Sequence, residues 1–244
     1  MTHIHGTPFS SLANCARVLA GRHALASFAT AGSFVDVLAE VCQSFYLDNG
    51  AYTAWMSGHP ITNWKPCYEW LGFWLKHPGC EWALIPDVID GDEKANDDLI
   101  QAWPFGLRGV PIWHYGESLE RLSRLCDQWP RVALGSSGEW PIPGTASWWR
   151  RTDAAMTAAC DSDGYPKTKL HGLRMLNPEI FTRMPLASAD SCNAGRNCGA
   201  VADRLNLPAD AAAEVIVRRI ESHNSAARWI GIPAIDETCL FGAA

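Results

Sequence analysis

The chain contains no apolar run of about 18 residues or more, the length a membrane-spanning helix requires. Its first residues, MTHIHGTPFSS, show neither a basic segment nor the apolar stretch of a secretory signal, so a soluble, cytoplasmic protein is expected. Positive charge is also scarce. Twenty Lys and Arg face 26 Asp and Glu, a formal charge of −6, which argues against a protein that coats nucleic acid through bulk electrostatics. The nine cysteines (15, 42, 67, 80, 126, 160, 192, 198 and 239) are odd in number, scattered and never spaced CxxC. That pattern excludes a disulfide framework and gives no sign of a closed zinc site, although Cys192 and Cys198 could meet a histidine in space. No metal and no cofactor are expected. No repeat, linker or low-complexity segment divides the 244 residues, and no Gly-rich dinucleotide fingerprint follows the first apolar run.

What is present is an alternation of short β-type runs with helical stretches, the pattern of parallel strands joined by crossover helices. The runs are ALASFAT (24–30), SFYLDNGAY (44–52), EWALIPDV (81–88), GVPIWHY (109–115), RVALGSSG (131–138), KTKLHGL (167–173) and PLASADS (185–191). ARWIGIP (227–233) is a weak eighth. Helices are expected between them: FVDVLAEVC after the first run, YEWLGFWLK (68–76) after the second, the acidic stretch after Asp87, one capped by Ser118, one at about 146–160, and a last amphipathic helix at about 209–223. Right-handed connections make such a series curl, so one (β/α)8 TIM-like barrel domain over 1–244 is expected, with an open doubly wound sheet as the alternative.

In a barrel of this kind the active site is built from residues at the carboxyl ends of the strands. Those ends are polar here: Asp48-Asn49-Gly50, Pro86-Asp87, His114-Tyr115-Gly116, Gly135-Ser136-Ser137-Gly138, His171-Gly172 and Asp190-Ser191. Three carboxylates at one mouth repel one another, so at least one is expected to have a raised pKa and act as an acid or hold a ligand. A strand-end Asp is just as often a cap or turn residue, but six polar ends in series favour an enzyme. Gly50, Gly116, Gly135 and Gly172 give room for a flat ligand or for a close loop. Arg150, Arg151, Lys167, Lys169, Arg174, Arg183 and Arg196 make 150–196 locally cationic, either as solvated charges or as a phosphate track. Most of the 12 tryptophans suit packing; Trp148-Trp149 beside Arg150-Arg151 is the cluster suited to a nucleic-acid contact.

The order LDNGAY, IPDVIDGD, VPIWHYG, VALGSSGE, LHGLRML and SADSCNAGR resembles the tRNA-guanine transglycosylase barrel. It is more similar still to the relatives in phages and bacterial islands that insert 7-deazaguanine bases into DNA. The likeness spans residues 24 to 196 and lies in the order of short motifs. It implies that Asp190, followed by Ser191, Cys192 and Arg196, is the nucleophile and that Asp48 is the general base. It also matches Asp87, His114 and Gly135 with Ser136 to the positions that hold the base; Asn49 and His171 at the strand ends are expected to join them, and Arg150, Arg151, Lys167, Lys169 and Arg196 of the cationic segment are expected to meet the polynucleotide.

The implied partners are DNA, single-stranded or with a flipped nucleotide, and a free preQ0-like base, with a homodimer or a DNA-delivering protein as further possibilities. His114 stands where the family has glutamine, and the family's C-terminal CxCxxC zinc cluster is missing, which fits a polynucleotide other than tRNA. The alternatives are an RNA-directed enzyme, a non-catalytic binding subunit, or a metal-dependent hydrolase using His3-Ile4-His5. The hydrolase pattern wants its HxH at the end of the first strand, whereas this one is expected to precede every strand.

Overall fold

The computed structural model describes residues 1–30 and 34–232. The chain opens directly into a strand, β1 (Thr2–Gly6), and continues with α1 (Leu12–Leu19), β2 (His23–Ser27), α2 (Phe34–Val41), β3 (Ser44–Asp48), α3 (Ala51–Met56), α4 (Lys65–Trp74), β4 (Cys80–Leu84) and α5 (Glu93–Gln101). Two short strands follow, β5 (Gly109–Val110) and β6 (Ile112–His114), then α6 (Leu119–Gln128), β7 (Arg131–Gly135), α7 (Ala146–Ala159), β8 (Lys169–Gly172), α8 (Pro178–Phe181), β9 (Ser188–Ser191), α9 (Asn193–Leu205) and α10 (Ala209–Glu221). All strand pairs are parallel, in the order β5-β4-β3-β2-β1-β9-β8-β7-β6.

This is an α/β fold with a nearly closed, barrel-like sheet of nine strands. Its two terminal strands, β5 and β6, are separated by Pro111 alone. Proline has no N–H to give a ladder, so the run breaks there. Backbone bonds continue on both sides: Ile85 donates to Val110 O at 3.0 Å and Ala133 donates to Pro111 O at 2.9 Å.

Side chains alternate between two cores. Ile4, Leu25, Tyr46, Trp82, Leu84, Val110, Ile112 and Ala133 meet inside the sheet. Their strand neighbours, among them Ala24, Ala26, Phe45, Leu47, Ala83, Val132, Leu134, Leu170 and Ala189, pack outward beneath the helices. The period of two carries the inward face on to Ser27, Asp48, His114 and Asp190 at the strand ends. The helices start on side-chain caps: Ser11, Asp92, Ser118 and Thr145 accept from Asn14, Ala95, Arg121 and Trp148 N–H groups.

Several expectations change. β1 was not anticipated, because two histidines interrupt its apolar character. They alternate outward from Ile4, where His5 Nε2 lies 3.1 Å from Glu221 Oε1 and His3 Nε2 lies 2.9 Å from the His223 carbonyl. The HxH pair therefore does lie on the first strand, contrary to expectation, but it faces the last helix and not the barrel interior. The eighth strand expected at 227–233 is absent over the described residues 227–232; Pro233 lies outside them. There Trp229 is buried against the outer core with Ile232 packed beside it, while Ile230 is exposed. The eight described cysteines are free thiols. Among the described residues no helix is long and apolar enough to cross a membrane.

Candidate active site

At the carboxyl ends of the strands a cavity of about 580 Å³ opens. Leu25, Leu84, Ile112 and Leu173 form its apolar walls, and Asp48, Asp87, His114, Ser136, Asp190 and Arg174 bring polar atoms to it. A flat, partly polar ring suits such a lining, since apolar contact supplies area and a few fixed groups supply orientation.

Asp48 ends β3 and turns inward by the alternation that buries Tyr46. Burial pushes its carboxyl up to about 6; the charges of Asp190 and Asp87 add to the rise, and the Ser27 hydroxyl and the Gly50 amide oppose it. Gly50 has φ 80°, and a Cβ there would come within 2.7 Å of the Ala29 nitrogen, so this glycine serves the turn that begins α3.

Asp87 and His114 form the opposite wall. Asp87 Oδ1 accepts from Asn49 Nδ2 at 2.7 Å, and its Oδ2 lies 2.9 Å from His114 Nε2. The carboxylate raises the His114 pKa against the lowering effect of burial. Neither ring nitrogen of His114 has a well-aimed hydrogen-bond partner among the described residues, so the buried imidazole has capacity for a ligand. Asn49 also donates to the Ile85 carbonyl at 2.8 Å and accepts from Ala51 N–H at 2.8 Å. With its amide fully engaged, Asn49 orients Asp87. Behind the wall, Glu117 accepts from the His114 N–H at 2.8 Å, Asn96 Nδ2 at 3.0 Å and Arg121 Nη1 at 2.6 Å.

Asp190 lies on β9, only 5 % exposed. Its Oδ1 accepts from the Arg174 backbone N–H at 3.2 Å and sits 3.3 Å from His171 Nε2. Among the described residues Oδ2 has no hydrogen bond, which leaves it the freer oxygen in the pocket. His171 is fully buried beneath Asp190 and is not among the residues lining the cavity, where it was expected to meet a base. Ser136 lines the cavity with Gly135, but its hydroxyl accepts from Trp148 Nε1 at 2.9 Å. Gly172 leaves room for protein and not for a ligand: a Cβ would lie 2.9 Å from Leu186 and Met175 side-chain atoms.

The expected cationic track divides. Arg196, in the first turn of α9, is exposed and lines the pocket. Arg150 is exposed on α7 outside the lining. Arg151 is turned inward, donating Nε–H to the Tyr115 carbonyl at 2.9 Å and lying over Trp113 and Trp140 at 5.3 and 5.1 Å. Trp148 and Trp149 are buried in the outer core, so they are packing residues. Lys167 and Lys169 stand at the start of β8, the amino end of the sheet, away from the cavity; Lys167 donates to the Ala158 carbonyl at 3.1 Å.

Tyr52 was not anticipated as a site residue, and Arg174 was read only as one cation of the 150–196 segment; both line the cavity. Arg174 has φ 59°, donates Nη2–H to the Ser136 carbonyl at 2.8 Å, and its guanidinium lies 4.0 Å from the Tyr52 ring centre. Together they bridge the rim of the cavity. Arg174 stands within the LHGLRML motif, but its left-handed backbone, rare outside glycine and asparagine, left no mark in the residue pattern. Among the described residues no three His, Cys, Asp or Glu side chains gather to hold a metal ion. The chain matches no family model, no curated protein and no solved structure.

Proposed function

We propose that this protein is a base-exchange transglycosylase that replaces guanine in DNA with a 7-deazaguanine through a covalent ester on Asp190. The observation that carries the reading is the division of labour among the pocket's carboxylates. Asp190 presents an unbonded Oδ2, Asp48 has a pKa raised to about 6, and Asp87 is held by Asn49 with its other oxygen 2.9 Å from His114 Nε2. The motif order that resembles the transglycosylases places the same three residues in these roles. We take β5 and β6 as one strand interrupted at Pro111, which makes the sheet the eight-stranded barrel of that family.

In the first half-reaction Asp190 Oδ2 attacks the anomeric carbon of the nucleotide. The C–O bond forms as the glycosidic C–N bond breaks, and guanine leaves with the electron pair of that bond. A protonated Asp48 gives its proton to the departing base and, as carboxylate, takes one from the incoming 7-deazaguanine, which then displaces Asp190. A pKa near 6 suits a group that must do both. Asp87 accepts from the N–H edge of the base, and His114 meets its carbonyl side. The target nucleotide must leave the stack to enter so deep a pocket, so single-stranded or flipped DNA is the substrate.

Incubation with labelled guanine tests the proposal. Label enters DNA with the wild-type protein and not with Asp190→Ala or Asp190→Asn. Entry into tRNA alone would move the reading to RNA, and a folded protein that labels neither would overturn it.

A further inference from the structure

Beneath the proposed nucleophile a line of buried polar groups runs the length of the sheet interior. Arg131, the first residue of β7, donates Nη1–H to Ser188 Oγ at 3.0 Å. Ser188 Oγ lies 2.9 Å from His171 Nδ1, and His171 Nε2 lies 3.3 Å from Asp190 Oδ1. Arg131 is further held 5.5 Å over the Trp82 ring, which also packs edge-on against His171 at 4.9 Å. Polar groups are costly inside a barrel of aliphatic side chains unless they are paired, so four in series call for an explanation.

We infer that Arg131, Ser188 and His171 form a proton-ordered relay that fixes His171 with its hydrogen on Nε2, holds Asp190 by Oδ1 and so leaves Oδ2 to face the substrate. The inference deepens the proposed function by naming positioning residues for the nucleophile, and in its kinetic arm it rests on that reading. Hydrogen-bond direction decides the order. A guanidinium can only donate, so Ser188 Oγ accepts from Arg131. The serine's own hydrogen is then free to go to Nδ1, which places the imidazole hydrogen on Nε2. The reverse tautomer would aim a ring lone pair at the Asp190 carboxylate 3.3 Å away. Burial, aided by the charge of Arg131, outweighs the raising effect of Asp190, and the His171 pKa is lowered from its ordinary value.

The contact of Nε2 with Oδ1 is longer and less well aimed than the two preceding bonds, but Nε2 has no other partner among the described residues. For the relay to act, this contact must tighten when substrate binds, as catalytic contacts do. The Arg174 backbone N–H approaches the same Oδ1, so both supports act on one oxygen. An interior histidine in this position does more than fill space, because a leucine of similar volume would pack as well and could not orient a carboxylate.

Nitrogen NMR of histidine-labelled protein reads the tautomer directly and requires no assumption about the reaction. Wild-type His171 is expected to be neutral with the hydrogen on Nε2, and Ser188→Ala to lose that preference while remaining folded. A wild-type His171 that is protonated, or that carries its hydrogen on Nδ1, overturns the relay. In the exchange assay Ser188→Ala and His171→Leu are expected to lower kcat by about tenfold or more with KM for the free base unchanged, and His171→Gln, which keeps a donor, to recover part of it. A rise in KM at constant kcat contradicts a role in positioning Asp190. If no variant and no wild-type protein exchanges base, the proposed function fails while the tautomer result still decides the relay.

Discussion

Asp48 shows most clearly how one residue couples stability to chemistry. Its carboxyl is raised to about 6, so the folded state favours the protonated form while the unfolded chain ionises it near 4. Nothing is lost below pH 4, where both states are protonated. Stability then falls as pH rises from about 4 to 6, and above that the full cost, about 3 kcal/mol at most, persists. Asp48→Asn is therefore expected to be more stable than wild type at pH 8 in denaturant unfolding, with the gain vanishing near pH 4, and to have lost exchange activity. A variant less stable than wild type at pH 8 would refute the strained carboxyl. Single residues were legible in the sequence where they stood at or just after the end of a strand run: Asp48, Asp87, His114 and Asp190 line the cavity. His171 was not, because a strand run alone does not say which residue is the last layer and which lies one layer down.

At the scale of the element, the break at Pro111 and the turn after β6 are held by a buried ion network. Arg121 of α6 is wholly buried, pairing with Glu117 at 2.6 Å and with Asp97 at 2.9 Å and donating to the Ile112 carbonyl at 3.0 Å. Glu117 in turn receives the backbone N–H of His114, so the helix, the strand end and the imidazole in the cavity wall are one unit. Replacing one partner of a buried pair leaves the other charge uncompensated. Arg121→Met is expected to cost about 3–5 kcal/mol in urea unfolding, whereas a loss below about 1 kcal/mol would mean that Glu117 finds water instead.

The helices behind these strands were legible from caps and periodicity, as at Ser118 and α10. The first strand was hidden by its two histidines, whose partners Glu221 and His223 come from the far end of the chain. The reach of Lys167 and Lys169 was misjudged for a related reason. They belong to the start of β8, and a lysine's distance from the site depends on which end of the strand it occupies.

For the whole molecule, a net charge of −6 means that bulk electrostatics does not draw a polyanion to this protein. The cations that count are local: Arg174 and Arg196 stand at the cavity, while Arg151 is committed to packing and Lys167 and Lys169 lie at the other end of the sheet. The alternating β and α segments made the barrel-like sheet readable from sequence. The strand that brings it near closure was misplaced: the run at 227–233 was expected, whereas β1, beginning at Thr2, joins β2 to β9.

The proposed function turns on Asp190 becoming covalently bonded to the nucleic acid. Incubating the protein with guanine-containing single-stranded DNA, without incoming base, and digesting the denatured product for mass spectrometry tests this most directly. A strand-linked peptide with the adduct on Asp190 is expected, absent from Asp190→Asn and discharged when 7-deazaguanine is added. An adduct on another residue, or base exchange that survives in Asp190→Asn, would contradict it.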